Sequence, residues 1–492
     1  MDVASTLPGW ALVPPAAATA LIAASRRRPV VREAWSVAAA IAQSAIVAVM
    51  LPRVLAGERL VWEPVSLAPG VPLLLRVDPL GVLFALLASA LWVVTTVYSI
   101  GYTRALTEPR QTRYFASFAL SLLAAAGVAM AGNLLTFFVF FEILTVATYP
   151  LVVHRGNAEA ARAGRIYLGY TLGGGTALLG AVAWTQVLAG RLDFQPGGML
   201  HATAASPSQL WGLFGLFAIG VGVKAALVPL HSWLPVAMIA PTPVSALLHA
   251  VAVVKAGVFG IVRVVGFVFG IDLLQDLGAA PVLAGIAGAT IVLGSLAALA
   301  QDNLKRLLAF STVSQLSYIG LGASLGTPDA MAGAVMHIAS HALLKITLFF
   351  CAGAIYATLH LERVSELDGV GRRMPLTMGA FATAAFMLAG LPPGPAFVSK
   401  WYLLTGAVAA SAWWAVGVLL ASTLLNLAYF TPIVVRAFWG RGAGPSQEAR
   451  PALLIPLLAT AGAAIVLGLA PEAPGGLLAL ARDVATGTIA AR

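Results

Sequence analysis

Four of the five lysines in this sequence lie inside long apolar stretches, where a charged group is costly to bury. They are Lys224, Lys255, Lys345 and Lys400. An ionisable residue at membrane depth is by default a candidate for an ion pathway. Arginine stays charged there, but a lysine withdrawn from water can release its proton near neutral pH. The pattern therefore predicts proton carriers; the alternative is that each lysine is a structural cation, bonded to a carbonyl oxygen or reaching an interface.

One acidic residue shares this apolar setting. Glu142 lies within NLLTFFVFFEILTVATYPLVV and is the only carboxylate in the middle of a predicted span. An unpaired anion at this depth is unfavourable, so Glu142 requires a cation. We predict that Lys224 is its partner.

Histidines extend the set of titratable groups. In HIASHALLKITLF, His337, His341 and Lys345 follow one another at four-residue spacing. That spacing stacks them on one helix face, about 6 Å apart. A single buried histidine is more often only hydrogen-bonded, but three groups in register predict a proton relay. His249 precedes Lys255 by six residues, so the two should point in different directions, and His249 is assigned a connecting role.

The composition indicates which elements must hold these side chains. Hydrophobic residues make up 60% of the chain and charged residues 10%, which predicts an all-α integral membrane protein rather than a soluble domain. Apolar runs reach the roughly 20 residues of a membrane-spanning helix, unlike the ~10-residue alternating segments of a barrel. We predict fourteen spans in a single membrane domain. They lie near 8–25, 34–52, 79–102, 112–131, 133–153, 164–189, 209–228, 243–267, 278–299, 303–325, 328–358, 374–409, 411–437 and 451–482.

The basic residues predict the orientation. Among the loops, one side collects eighteen arginines and lysines and the other seven, Arg263 and Arg492 among the seven. The richer side is expected to be cytoplasmic, in a bacterial inner membrane, with both termini and the segment 53–78 outside. Topology thus accounts for the net charge of +10 without nucleic acid. Arg26, Arg27 and Arg28 follow the first apolar stretch, the wrong flank for a cleavable signal, so this stretch should be retained.

Two proline-rich breaks interrupt predicted spans. PLHSWLP at 229–235 interrupts the seventh span and LPPGP at 391–395 the twelfth. Broken helices in matching positions are typical of transport sites. Spans 4–8 and 9–13 would form two inverted five-helix repeats, although Lys224 precedes its break and Lys400 follows its own. The predicted division is 1–102, a first repeat at 112–267, a second at 278–437 and a C-terminal helix at 451–482.

These motifs carry a family resemblance across about residues 75–440. GVKAALVPLHSWLP at 222–235, APTPVSALLHAVAVVKAGVFGIVR at 240–263, the Glu142 and His337 segments, GRRMP at 371–375 and LPPGPAFVSKW at 391–401 occur in the expected order. The chain resembles the proton-conducting antiporter-like family, which includes the D-type component of Mrp cation/proton antiporters and the pumping subunits of respiratory complex I and membrane-bound hydrogenases. Val236 and Pro395 depart from the family pattern, which puts local hydration and hinge geometry in question.

The resemblance implies a role for each titratable residue. Glu142 and Lys224 would form a coupled ion pair, and Lys255 would be the central proton carrier. The remaining members would extend a lateral polar axis that ends at an exit-side lysine. They are His337, His341, Lys345 and Lys400; the connecting role of His249 rests on its position in the sequence alone.

Two functions therefore lead. The first is a proton-translocating subunit of a multisubunit Na⁺/proton antiporter of Mrp type, the D type being expected because the sequence lacks a long lateral helix after the last span. The alternative is a proton-pumping subunit of a quinone oxidoreductase or hydrogenase. A membrane scaffold would leave the titratable axis unexplained. No cofactor motif, disulfide framework or metal-ligand spacing is expected, the only cysteine being Cys351; the expected partners are other membrane subunits, protons, Na⁺ and lipid.

Overall fold

The computed structural model describes residues 1–201, 205–442, 444–473 and 476–489, so the predicted loop residue Arg492 lies outside the described part. Nearly all of this chain is helical. The main helices, numbered in chain order, are α1 Leu7–Ala24, α2 Pro29–Leu55, α3 Pro79–Ala105, α4 Gln111–Met130, α5 Leu134–Val152, α6 Ala158–Ala189, α7 Pro207–Ala225, α8 Thr242–Phe269, α9 Ala279–Leu299, α10 Leu304–Ser324, α11 Pro328–Leu359, α12 Pro375–Ala389, α13 Pro395–Ala409, α14 Trp413–Trp439, α15 Pro451–Leu469 and α16 Leu477–Ile489.

Twelve helices within the described residues are long and apolar enough to cross a membrane. The all-α membrane fold is therefore confirmed. Each predicted span corresponds to one helix or to a pair of helices. Two predicted spans fall outside the twelve, because α10 carries many polar residues and the twelfth span consists of the short helices α12 and α13. The total of fourteen, the inverted repeats and the fourfold division of the chain stay predictions.

Both predicted breaks are present. Helix α7 ends at Ala225, Ala226 adopts a left-handed conformation, and helix resumes only at Trp233. Helix α12 ends at Ala389, and Gly390 takes a φ of +110°, which glycine adopts without steric cost. Backbone groups at these two ends are consequently free to bond side chains.

The C-terminal span was predicted incorrectly as one helix over 451–482. Helix α15 stops at Leu469, and α16 begins separately at Leu477. Pro471 follows the end of α15 and cannot continue its hydrogen-bond ladder. Leu480 and Val484 are buried on α16, which packs against α11 and α3.

Helix α8 is less regular than its apolar sequence suggests. It contains π-helical segments at Leu247–Val251 and Val264–Phe269, on either side of a regular stretch, Val253–Arg263. The assignment of Arg263 to a loop was wrong, because Arg263 lies within this helix. Arg263 is buried and donates to Asp78, the N-cap residue of α3, at 2.8 Å.

A small sheet joins the chain start to the predicted external segment. Strands β1 Asp2–Ala4, β2 Arg59–Trp62 and β5 Leu75–Val77 pair in the order β1, β2, β5. The first pair is parallel and the second antiparallel. Strands β3 Ser66–Ala68 and β4 Val71–Pro72 form a separate hairpin. The sheet places the N-terminus on the same side of the protein as residues 59–77.

Fusion reporters test the predicted orientation. We expect alkaline phosphatase fused after Arg492 to be active, because the arginine-poor side should face away from the cytoplasm. The same enzyme inserted after Asp368, in a loop flanked by arginines, should be inactive and serves as the control. An inactive C-terminal fusion that accumulates at normal levels would contradict the predicted orientation.

Candidate functional site

The Lys224 side chain lies at the first helix break, in the last turn of α7. Its Nζ is 3.8 Å from Glu142 Oε1, donates a hydrogen bond to the Phe141 carbonyl oxygen, and sits 3.4 Å from the centre of the Phe141 ring. Glu142 fits here because α6 presents Gly175 to it, where a Cβ would collide with the carboxylate. The predicted partners are therefore within ion-pair distance.

The two members of this pair differ in exposure. The Lys224 side chain is 1% exposed, whereas the Glu142 side chain is 20% exposed. Glu142 Oε1 has no hydrogen-bond partner among the described residues. The lysine is thus enclosed, and the carboxylate beside it retains an acceptor site that is free to change partner.

Lys255 lies on the regular part of α8, next to the end of α7. Gly257 makes this approach possible, since a Cβ there would collide with the backbone of Lys224 and Ala225. Lys255 Nζ is 2.8 Å from His341 Nδ1 on α11, and both side chains are fully buried. An ammonium donates across this contact and a neutral amine accepts, so the pair can hold a proton on either side.

His337 continues from His341 along α11. The two ring centres are 6.3 Å apart. His337 Nε2 donates to Gln315 Oε1 at 3.0 Å, and Nδ1 is 2.8 Å from Ser399 Oγ on α13. Both nitrogens are therefore bonded, which fixes the ring in one orientation.

Lys400 lies at the second helix break. Its Nζ donates to the Ala389 carbonyl oxygen at 2.7 Å, at the end of α12. The same ammonium lies 5.2 Å from the ring centre of Tyr318. The His337 ring stacks on the Tyr318 ring, with their centres also 5.2 Å apart. Tyr318 thus connects the histidines to the second break.

Contrary to the prediction, Lys345 does not continue the histidine file, which consists of His341 and His337. Although it follows His341 by one turn of α11, its ammonium bonds to α10, with Ser311 Oγ at 2.9 Å and the Leu308 carbonyl oxygen at 3.3 Å. The four-residue spacing places the residues on one face, but each side chain then turns toward its own partner. The three groups therefore share a helix face without forming one hydrogen-bonded chain.

His249 lies in the first π-helical segment of α8. Its ring centre is 4.9 Å from that of Phe349, and neither ring nitrogen has a hydrogen-bond partner in the part of the chain that the structure describes. Lys255 instead reaches His341. The two side chains thus have separate partners, in agreement with the prediction from their spacing.

Neutral polar residues around the lysines were missed by sequence reasoning. The file is completed by Ser311, Gln315 and Tyr318 on α10, Ser399 on α13 and Tyr429 on α14. On α10 the spacing of 311, 315 and 318 is helical, and that periodicity in a polar-rich span was the available signal.

A polar cavity of about 450 Å³ lies on the arginine-rich side of the protein. Arg155, Arg306 and Glu362 line it, together with Val236 beside the first break. Lys305 also lines the cavity and donates to the Ala240 carbonyl oxygen at 2.6 Å, just before α8. The cavity lies beside the segment 235–239, which connects the helix of Lys224 to the helix of Lys255.

A bundle of broken helices around a buried file of lysines and histidines defines a proton-translocating, antiporter-like membrane subunit. Residues 131–426 match the family model described as NADH:quinone oxidoreductase/Mrp antiporter, TM. The chain belongs to this family.

Individual relatives come from more than one system. The chain is 35% identical over 420 residues to NADH-quinone oxidoreductase subunit N of Desulforudis audaxviator, covering 81% of this chain and 82% of the relative. The D-type component of the Na(+)/H(+) antiporter of Alkalihalophilus pseudofirmus is 29% identical over 405 residues, 81% of each chain. A chain of the Mrp complex from Dietzia sp. has the same fold, with a TM-score of 0.87, 25% identity and coverage of 98% of this chain and 97% of that one.

Proposed function

We propose that this chain is the proton-translocating subunit of a multisubunit Na⁺/proton antiporter of Mrp type in a bacterial inner membrane. The observation that supports it best is the buried contact of 2.8 Å between Lys255 Nζ and His341 Nδ1, set between two helix breaks. A file of exchangeable protons needs groups that can accept and donate in turn, and amine and imidazole side chains do so. The likeness to an Mrp complex supports the particular system.

In this proposal the site works as a switch followed by a relay. Glu142 holds Lys224 in its charged form, and loss of that contact favours release of the lysine proton to Lys255. His341 takes the proton from Lys255, and His337 passes it toward Lys400. Imidazole relays because one nitrogen accepts while the other donates.

The remaining residues have supporting roles in this scheme. His249, enclosed in the first π-helical segment, connects the cytoplasmic end of the file to Lys255. The cavity beside Lys305 supplies protons and water from the arginine-rich side. The break after Ala225 allows Lys224 to change partner, because the backbone that follows the break is not held in a helical ladder.

A redox-driven pump is the second candidate. The identity of 35% with an NADH-quinone oxidoreductase subunit favours it. Its proton file would be the same, but electron transfer in partner subunits would drive it. Isolating the assembled complex and identifying its other subunits separates the two candidates.

The proposed relay is tested with the purified complex in proteoliposomes. An imposed Na⁺ gradient should move protons, and His341→Ala should lower the rate about tenfold, the equivalent of ~1.4 kcal/mol of added barrier. His360→Ala is the matched control, since His360 lies at the exposed end of the same helix. Complex assembly is measured in parallel.

Two outcomes would count against the proposal. If His341→Ala assembles and transports at the wild-type rate, His341 has a structural role only. If the wild-type complex moves protons only when an electron donor and a quinone are supplied, the redox-driven candidate replaces the antiporter.

A further inference from the structure

A second polar branch leaves the site at Lys345. From its ammonium the contacts run to Ser311 Oγ at 2.9 Å and on to the Tyr429 hydroxyl, 2.9 Å beyond. Tyr429 donates in turn to Asn426 Oδ1. All of these side chains are buried, and they link α11 through α10 to α14. The branch therefore departs laterally from the histidine file.

This branch ends at buried polar atoms that lack partners. Asn426 Nδ2 and the Tyr318 hydroxyl have no hydrogen-bond partner anywhere in the described part of the chain. The Tyr318 hydroxyl lies near the side chains of Ser422, Thr423 and Asn426 of α14, but it makes no hydrogen bond of normal geometry with them. Buried polar groups are rarely left unpaired, and a buried water typically makes about three hydrogen bonds to such groups. One water that bonds to the Tyr318 hydroxyl and to Asn426 Nδ2 would therefore pair both atoms.

Tyr318 is also where the histidine file arrives, because His337 stacks on its ring and Lys400 lies over it. The two branches therefore begin on neighbouring turns of α11, at His341 and Lys345, and converge on one tyrosine. His341 lies before the point where the two branches separate, because it contacts Lys255 and is one helical turn from Lys345.

We propose that Ser311, Tyr429 and Asn426 form a second proton-transfer branch, which leads from Lys345 to a water site between α10 and α14 and runs parallel to His337. This inference rests on the proposed proton-translocating function. Ser311 and Tyr429 carry the proton. Asn426 completes the branch by accepting the Tyr429 proton at Oδ1 and giving a proton from Nδ2 to the water.

The transfer balances as a concerted shift. One proton leaves the Lys345 ammonium for Ser311 Oγ, the serine proton moves to the Tyr429 oxygen, the tyrosine proton moves to Asn426 Oδ1, and a proton leaves Asn426 Nδ2 for the water. Each hydroxyl ends with one hydrogen, Lys345 ends as a neutral amine, Asn426 ends as its imidic-acid tautomer, and the water holds one extra proton. Asn426 regains its amide form when a proton shifts from Oδ1 back to Nδ2. A neutral Lys400, whose side chain lies over the Tyr318 ring, then receives the extra proton from the water.

Parallel branches predict a specific pattern of rates. Tyr429→Phe alone should lower proton transport only about twofold, and so should His337→Ala, because the other branch remains. Together they should lower it about tenfold or more, beyond the product of the single effects. Proteoliposomes containing the assembled complex provide the measurement. Tyr114→Phe in the His337→Ala background is the matched control, because the Tyr114 hydroxyl is buried but bonds to Ser99 at 3.1 Å, outside both branches.

Two results would overturn the branch. The first is that Tyr429→Phe has no effect in the His337→Ala background. The second does not depend on transport: a map of the assembled complex that resolves bound waters shows none within hydrogen-bond distance of Asn426 Nδ2 and the Tyr318 hydroxyl. We expect such a water in the wild-type protein and its loss in Asn426→Leu. If the wild-type complex moves no protons, the proposed function fails. The water density then still tests whether a water binds between Asn426 and Tyr318.

Discussion

Replacement of Lys255 by arginine should lower proton transport about a hundredfold, equivalent to ~2.7 kcal/mol of added barrier. Arginine keeps the positive charge and can still donate to His341, whose Nδ1 lies 2.8 Å from Lys255 Nζ. It cannot release a proton under these conditions, however, because its guanidinium stays charged. The rate is measured in proteoliposomes at equal amounts of assembled complex.

Two further variants interpret the Lys255 result. Lys255→Met should also lose transport and shows whether the complex assembles without a cation at this fully buried position. Arg165→Lys, at an exposed position, is the reverse exchange and should leave the rate unchanged. Near-normal transport by Lys255→Arg would mean that a fixed charge is enough, and the carrier role of Lys255 would have to be abandoned.

Changes to the Glu142–Lys224 pair have the second largest expected effect. Lys224→Arg preserves the attraction across the present 3.8 Å but removes the exchangeable proton, so transport should fall at least about tenfold. Glu142→Gln should also lower transport about tenfold, but for the opposite reason. Lys224 then loses the negative charge that holds its proton. Initial rates in proteoliposomes are compared for both variants.

The double variant Lys224→Arg/Glu142→Gln separates coupling from independent damage. If the residues act as one switch, its loss should be close to the larger single loss rather than to the product of the two. Multiplying losses would show that Glu142 and Lys224 contribute independently. Gly175→Ala supplies a second probe, because its Cβ would displace the Glu142 carboxylate without altering any charge.

The charged part of the site could be predicted from the sequence, because a lysine or carboxylate inside an apolar run is rare and conspicuous. The structure places Glu142 beside Lys224 and Lys255 beside His341. Both helix breaks were predicted for a related reason, since proline limits where a helical ladder can continue.

The rest depends on tertiary contacts that carry no local signal. Asp78 and Arg263 are 185 positions apart, so nothing near either residue reveals the buried pair. The spacing of Lys345 places it one helical turn after His341, but its hydrogen bond to Ser311 is set by how α10 packs against α11. Serine, tyrosine and asparagine are also common in ordinary helix packing, which hides Tyr429 and Asn426 among residues of no special role.

Both breaks expose the carboxyl end of a helix next to a lysine, at Lys224 in the last turn of α7 and at Ala389, whose carbonyl oxygen accepts from Lys400. Aligned peptide dipoles give such an end roughly half a negative charge. These partial charges neither titrate nor diffuse, and they cannot be neutralised by protonation as a carboxylate can. The chain can therefore stabilise two intramembrane cations with a single acidic side chain, Glu142, and each lysine meets a counter-charge that stays constant while its own proton comes and goes.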